Sequence, residues 1–158
     1  MASGSAPPHR CSVLVVDDDA EVRDLLRVAL DADGYRVAAV SNGRDALHHL
    51  RSHAETCIII LDLMLPVMDG GQFRTAQLRD RSLSWIPVVV MSAAVDADRR
   101  ARELGARRFV QKPLDLDQVR HALRHIGCCQ ARPRRNTAFS CQRSAFSANE
   151  SATLKADS

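Results

Sequence analysis

Two short, uninterrupted apolar runs, Val13-Leu14-Val15-Val16 and Cys57-Ile58-Ile59-Ile60-Leu61, each stop abruptly at aspartate, the first at Asp17-Asp18-Asp19 and the second at Asp62. A β-branched run without polar alternation reads as a strand covered on both faces, and such strands belong to parallel sheets flanked by helices. In these sheets ligand chemistry gathers beyond the carboxyl ends of the strands. Neighbouring strands that end in aspartate bring carboxylates close together, where mutual repulsion calls for a cation. A small set of hard oxygen donors points to Mg²⁺.

The rest of the chain fits that frame. Helical spacing of Val22, Leu25, Leu26, Ala29 and Leu30 predicts a helix capped by Asp19 or Ala20 and ended by Gly34. A second strand follows at Arg36 to Val40, then a cap at Ser41-Asn42-Gly43 and a helix burying Ala46, Leu47 and Leu50. After the third strand a loop runs from Asp62 to Gly71 and a helix from about Gln72 to Arg79. Val88 to Met91 makes a fourth strand, Ala97 to Leu104 a weakly amphipathic helix, and Phe109-Val110-Gln111 a short fifth strand. Leu116, Val119, Leu123 and Ile126 form the stripe of a last helix. The sequence predicts an α/β fold, (βα)5, doubly wound and flavodoxin-like.

Charge marks the boundaries. Residues 1–126 hold 17 of the 22 Lys and Arg and 17 of the 19 Asp and Glu, so the net +3 resides in the remainder. We read residues 1–11 as a flexible arm, 12–126 as the domain, and 127–158 as a disordered basic tail without helical periodicity. With five cysteines, no secretory leader and no stretch able to span a bilayer, a cytoplasmic, reduced protein with no membrane contact is expected. Only two basic residues are lysine, Lys112 and Lys155, so a lysine inside the domain stands out.

The predicted strand ends supply Asp17, Asp18, Asp62, Ser92 and Lys112. This set resembles the receiver (response regulator) domain of bacterial two-component signalling. Val15-Val16-Asp17-Asp18-Asp19 is similar to its acidic pair, and Asp62-Leu63-Met64-Leu65-Pro66 with Met68-Asp69-Gly70 to its phosphoacceptor loop. Met91-Ser92-Ala93 is similar to its hydroxyl position and Lys112-Pro113, preceded by Phe109, to its basic position. The intervals of 44, 30 and 20 residues between Asp18, Asp62, Ser92 and Lys112 agree as well.

The resemblance implies that Asp62 accepts a phosphoryl group from a sensor histidine kinase or a histidine phosphotransfer protein. Asp18, Asp62 and the backbone carbonyl of Met64 would bind Mg²⁺ directly, and Asp17 through water. Lys112 would pair with Asp62, then with the phosphoryl group. Ser92 would donate its hydroxyl, Phe109 would follow, and the face of the fourth helix, fifth strand and fifth helix would change shape toward a downstream protein or a phosphorylation-dependent homodimer. Met64 and Ala94 occupy the positions that set hydrolysis rate.

Other readings were weighed. Asp19 alone is a helix cap, and Phe109 alone a core aromatic. Gly70 starts a helix without chemistry, and Pro66 shapes its loop. His48, His49, His53, His121 and His125 lie on predicted helix surfaces as solvated groups, and Cys128-Cys129, with His125 and Cys141, lacks the paired spacing of a zinc site. Asp17-x-Asp19 also resembles the haloacid dehalogenase phosphatase motif, but Glu21 stands where that family has Thr or Val, and Asp62 is left unexplained. DNA binding would have to come from the tail with Arg132, Arg134 and Arg135, and is not expected. A stand-alone receiver with no enzymatic turnover of its own is the expectation.

Overall fold

The computed structural model describes residues 10–127. The arm and the tail expected from the sequence, with Cys128, Cys129, Cys141 and the tail arginines, lie outside the described residues except at their inner ends. There Cys11 is buried, and its carbonyl accepts from the Arg36 N–H at 2.8 Å. Gly127, at φ 69°, closes the last helix.

The elements alternate as β1 (Ser12–Val16), α1 (Ala20–Ala32), β2 (Arg36–Val40), α2 (Gly43–Ser52), β3 (Thr56–Asp62), α3 (Gly70–Arg79), β4 (Val88–Ser92), α4 (Ala97–Glu103), β5 (Arg108–Gln111) and α5 (Leu116–Ile126). All strand pairs are parallel, in the order β2-β1-β3-β4-β5. The chain steps outward from β1 to β2, then returns to the other side of β1 with β3. That reversal opens a crevice at the carboxyl ends of β1 and β3. Val16 pairs with Leu61, so the residues that follow, Asp17 and Asp62, are opposed.

Alternation along the buried strands feeds two cores. On one face Val13, Val15, Ile58, Ile60, Val89 and Met91 pack under Leu26 and Leu30 of α1 and Val119 and Leu123 of α5. On the other, Leu14, Val16, Ile59, Leu61 and Val90 meet Leu47 and Leu50 of α2, Phe73 of α3 and Ala101 of α4. Each fully buried aliphatic side chain contributes about 1.5–3 kcal/mol relative to exposure. This is why β3, buried at all seven positions, reads as an unbroken apolar run.

Helix α3 starts earlier than the sequence suggested, because Asp69 and Gln72 form a reciprocal cap that satisfies two otherwise unpaired N–H groups. It also carries a buried polar network. The Arg74 guanidinium donates to the carbonyls of Leu104 and Gly105 and to Gln77, while the Gln77 amide donates to the carbonyls of Leu83 and Ile86.

A Cβ at Gly70 would fall 2.6 Å from the Asp62 carbonyl and 2.7 Å from the Leu63 Cα, both backbone atoms that cannot swing aside. Gly70 therefore sets how closely α3 approaches the end of β3. Gly70→Ala is expected to lose about 1–3 kcal/mol in denaturant unfolding by overpacking. A loss below about 0.5 kcal/mol would mean that the helix start can back away freely.

Candidate functional site

The carboxylate oxygens of Asp17, Asp18 and Asp62 lie within 4.8 Å of one another. Their settings differ. Asp17 is wholly buried, where its Oδ1 accepts from the Asp19 N–H at 2.9 Å and its carbonyl accepts from the Arg23 guanidinium at 2.8 Å. Asp18 is exposed, and Asp62 is 4% exposed with its Oδ1 accepting from the Met64 N–H at 3.1 Å. Asp19 caps α1 by accepting from the Glu21 N–H, the bland role that sequence reading assigned it.

Lys112 reaches over the sheet from the end of β5. Its ammonium donates to Asp17 Oδ2 at 2.7 Å and to Asp62 Oδ2 at 3.1 Å. The sequence reading paired it with Asp62 alone. A cleft of about 440 Å³ opens above, lined by Asp18, Asp62, Met64, Ala93, Ala94 and Lys112. Asp17 is absent from that lining, so it braces the site from below.

Ser92, at the end of β4, is fully buried, and its hydroxyl oxygen accepts from the Ala94 N–H at 3.3 Å. A hydroxyl has one proton and two acceptor positions, so this bond leaves the proton to donate. The Ser92 carbonyl accepts from the Lys112 N–H, which ties the two strand ends together. Met64 is 64% exposed, and neither it nor Ala94 carries a side-chain group able to hydrogen-bond strongly. Phe109 is half-buried and packs against the core that includes Ala101 of α4.

Burial is the main influence on Asp62 and raises its pKa. The Met64 N–H and the Lys112 hydrogen bond work downward and the Asp17 charge upward, with a net rise. For Lys112 burial opposes the charge, but the hydrogen bonds and charges of Asp17 and Asp62 outweigh it and raise the pKa. Among the described residues Lys112 alone pairs with these carboxyl groups, and with two of the three. Such a cluster of hard oxygens, too negative to be settled by Lys112 alone, fits a divalent cation of the Mg²⁺ type.

The backbone on the far side of the cleft was not legible in the sequence. Met68 N–H donates to the Pro66 carbonyl at 2.7 Å around Val67, a β-branched residue at φ 66°. The Met68 carbonyl then accepts from the Gly43 N–H, and a Cβ at Gly43 would meet that oxygen at 2.8 Å. The loop after Asp62 is thus pinned to the start of α2. The Asn42-Gly43 pair was visible in the sequence, but nothing local announced this contact.

Comparison with known proteins agrees with the geometry. A family profile described as "Response regulator receiver domain" matches residues 13–124. The two-component response regulator ORR11 of Oryza sativa is 37% identical over 118 residues, covering 73% of this chain and 78% of that protein. The transcriptional regulatory protein GltR of Pseudomonas aeruginosa is 35% identical over 127 residues, covering 77% of this chain and 52% of its own. The chain thus spans about half the length of that transcriptional relative. Among solved structures, the chemotaxis response regulator CheY4 of Vibrio cholerae superposes with a TM-score of 0.69 at 24% identity, over 75% of this chain and 99% of its own, and shows the same fold.

The raised pKa of Asp62 has a stability consequence. Just above the ordinary carboxylate range the folded protein binds more protons than the unfolded chain, so stability falls as pH rises through that window. Asp62→Asn keeps the shape and removes the charge. At pH 7 without divalent cations it is expected to melt higher than the unaltered protein, on the order of 2–5 °C. Adding Mg²⁺ should raise the unaltered protein's melting temperature and have much less effect on Asp62→Asn. A lower melting temperature for Asp62→Asn in cation-free buffer would show that attraction to Lys112 outweighs burial and repulsion.

Proposed function

The chain belongs to the response regulator receiver domain family, and on that premise we propose that it is a phosphoacceptor switch in which Asp62 takes a phosphoryl group from the phosphohistidine of a sensor histidine kinase or a histidine phosphotransfer protein. The observation that carries this reading is the position of Asp62 at the mouth of the cleft, 3.1 Å from Lys112 and clustered with Asp17 and Asp18.

An Asp62 carboxylate oxygen attacks phosphorus, the P–N bond to the donor imidazole breaks, and the electron pair returns to that ring, which leaves as the neutral histidine after taking a proton. Asp18, Asp62 and the Met64 carbonyl would hold Mg²⁺, with Asp17 bracing from beneath. Bound there, the metal supplies charge neutralisation for the transferring oxygens. Lys112 holds Asp62 in place beforehand. Afterwards its compact ammonium, on a mobile stem, can follow the added phosphoryl charge.

Ser92 then turns its free hydroxyl proton to a phosphoryl oxygen. Donation of that proton to the phosphoryl oxygen draws the loop of Ser92 and Ala94 inward, and Phe109 fills the space. The face of α4, β5 and α5 is the surface so altered, and a downstream protein or a second copy reads it. Met64 and Ala94 leave the attacking water without a polar side chain to orient it, so the phosphoryl group persists.

The haloacid dehalogenase reading asks Asp17 to be an accessible nucleophile and Asp19 a general acid. Here Asp17 is wholly buried against Lys112, and Asp19 is engaged as a cap. A transcriptional output is a second reading, supported by relatives named as transcriptional regulatory proteins. Salt-sensitive binding of the phosphorylated chain to duplex DNA would favour it. Among the described residues no helix is long and apolar enough to cross a membrane.

Incubation with acetyl phosphate and Mg²⁺ is expected to add one acid-stable, base-labile phosphoryl group per chain. Label retained in Asp62→Asn would overturn the assignment, and chelation of Mg²⁺ should stop the reaction. Replacing Met64 by Asn together with Ala94 by Glu is expected to shorten the phosphoryl lifetime about tenfold, or roughly 1.4 kcal/mol of barrier. Decay within seconds in the unaltered protein would contradict the role given to these two positions.

A further inference from the structure

Four of the five histidines among the described residues form two pairs that the carboxylate site does not use. At the end of α2 the ring of His49 stacks on that of His53, the extended residue that follows the helix, with centroids 4.3 Å apart and planes 14° from parallel. On α5, His121 and His125 repeat the arrangement at 4.1 Å and 45°. In both, the partners are four positions apart; on α5 that spacing places the two side chains on one helical face, whereas His53 stands at the extended cap of α2. The sequence reading took these histidines as separately solvated groups.

The second histidine of each pair is oriented. His53 Nδ1 lies 3.1 Å from the His49 carbonyl, and His125 Nδ1 lies 3.2 Å from the His121 carbonyl. A carbonyl can only accept, so Nδ1 carries the proton and Nε2 keeps its lone pair. A ring nitrogen donating to a backbone carbonyl while the other faces outward is the arrangement that metal-bound histidines use. Two helical histidines four apart also form the half-site of helical zinc motifs.

We propose that each pair is a bidentate site for a borderline divalent transition-metal cation, with Nε2 of the second histidine and a ring nitrogen of the first as ligands. Metal–nitrogen bonds of about 2.1 Å require the two nitrogens to lie roughly 3 Å apart. Imidazole lone pairs lie in the ring plane, so chelation requires the His49–His53 stack to open by rotation about the side-chain bonds, and a smaller turn of the His121 and His125 rings, which already stand 45° apart. Imidazole favours Zn²⁺, Cu²⁺ or Ni²⁺ over Mg²⁺, so these pairs do not compete with the carboxylates for the same ion. Because α2 and α5 pack on different cores, the two sites lie on opposite sides of the sheet. Two nitrogens leave a four-coordinate ion with open positions, which water or another molecule's donor groups fill.

Zn²⁺ is the probe. The full chain, its thiols alkylated and its carboxylate site saturated with Mg²⁺, is titrated with ZnCl₂ by calorimetry. The unaltered protein is expected to bind two more equivalents than a variant with His49, His53, His121 and His125 all replaced by Gln. Replacing either pair should remove one equivalent, and replacing one member should weaken its site at least tenfold by loss of chelation. His48→Gln, outside the pairs, should change nothing. Equal Zn²⁺ uptake by the unaltered and fourfold-substituted proteins overturns the proposal, as does a single replacement that leaves affinity unchanged. In the unaltered protein, independent of any folding defect, Zn²⁺ should shield the four paired rings from diethyl pyrocarbonate and leave His48 reactive. Uniform modification with and without Zn²⁺ also overturns it.

Discussion

One ammonium group holds together a site that would otherwise repel itself. Lys112 lies within 3.1 Å of both Asp17 and Asp62, groups far apart in sequence on strands β1 and β3, while the lysine comes from the far edge of the sheet at β5. Burying two carboxylates is costly unless each is paired and hydrogen-bonded. Asp17 meets that condition through Lys112 and the Asp19 N–H, and Asp62 through Lys112 and the Met64 N–H. Asp18 adds a third acidic group, and among the described residues no cation pairs with it at short range. The cluster is therefore stable enough to fold and still short of positive charge, which suits it to a divalent cation and, in the proposed function, to a phosphoryl group.

Everything around that group keeps it in register. The parallel pairing of Val16 with Leu61 opposes Asp17 and Asp62, and the absence of a Cβ at Gly70 lets α3 pack on the backbone of Asp62 itself. Helix α4 is held asymmetrically. Its first turn has no side-chain cap, whereas at its other end the carbonyls of Leu104 and Gly105 accept from the buried Arg74. A cation at a helix C-terminus is favourable both as a donor and against the helix dipole. In the proposed switch, the loose end of α4 is the one beside Ser92 and Ala94, and the anchored end is remote from it. The two proposed coordination chemistries are likewise kept apart, with hard oxygens at the carboxyl ends of the strands and imidazoles on α5 and at the end of α2.

Much of this was readable without coordinates, and the reason is locality. A run such as Ile58-Ile59-Ile60 can be buried on both faces only in a covered parallel strand, and an aspartate directly after it must emerge at the strand's carboxyl end. Asn42-Gly43 and Gly34 announce a helix start and a helix stop by the backbone conformations they permit. Asp69 with Gln72 carries the same kind of signal for α3, and the reciprocal cap starts the helix at Gly70, two residues before the expected Gln72. Arg74 and Gln77 gave no local sign of burial. Their partners are carbonyls 6 to 31 residues away, and a carbonyl leaves no mark on sequence.

The sequence by itself determined the five βα units and which side chains stand at the strand ends, because strand burial and helix capping depend on neighbours a few residues apart. Only the tertiary structure decided how those side chains divide the work. It buries Asp17 under Lys112 while leaving Asp18 open, turns the Ser92 hydroxyl toward the Ala94 N–H, and stacks His49 on His53 and His121 beside His125. These outcomes depend on strand register, side-chain rotamer and the approach of distant backbone, and each is settled by contacts between residues that the chain order does not relate.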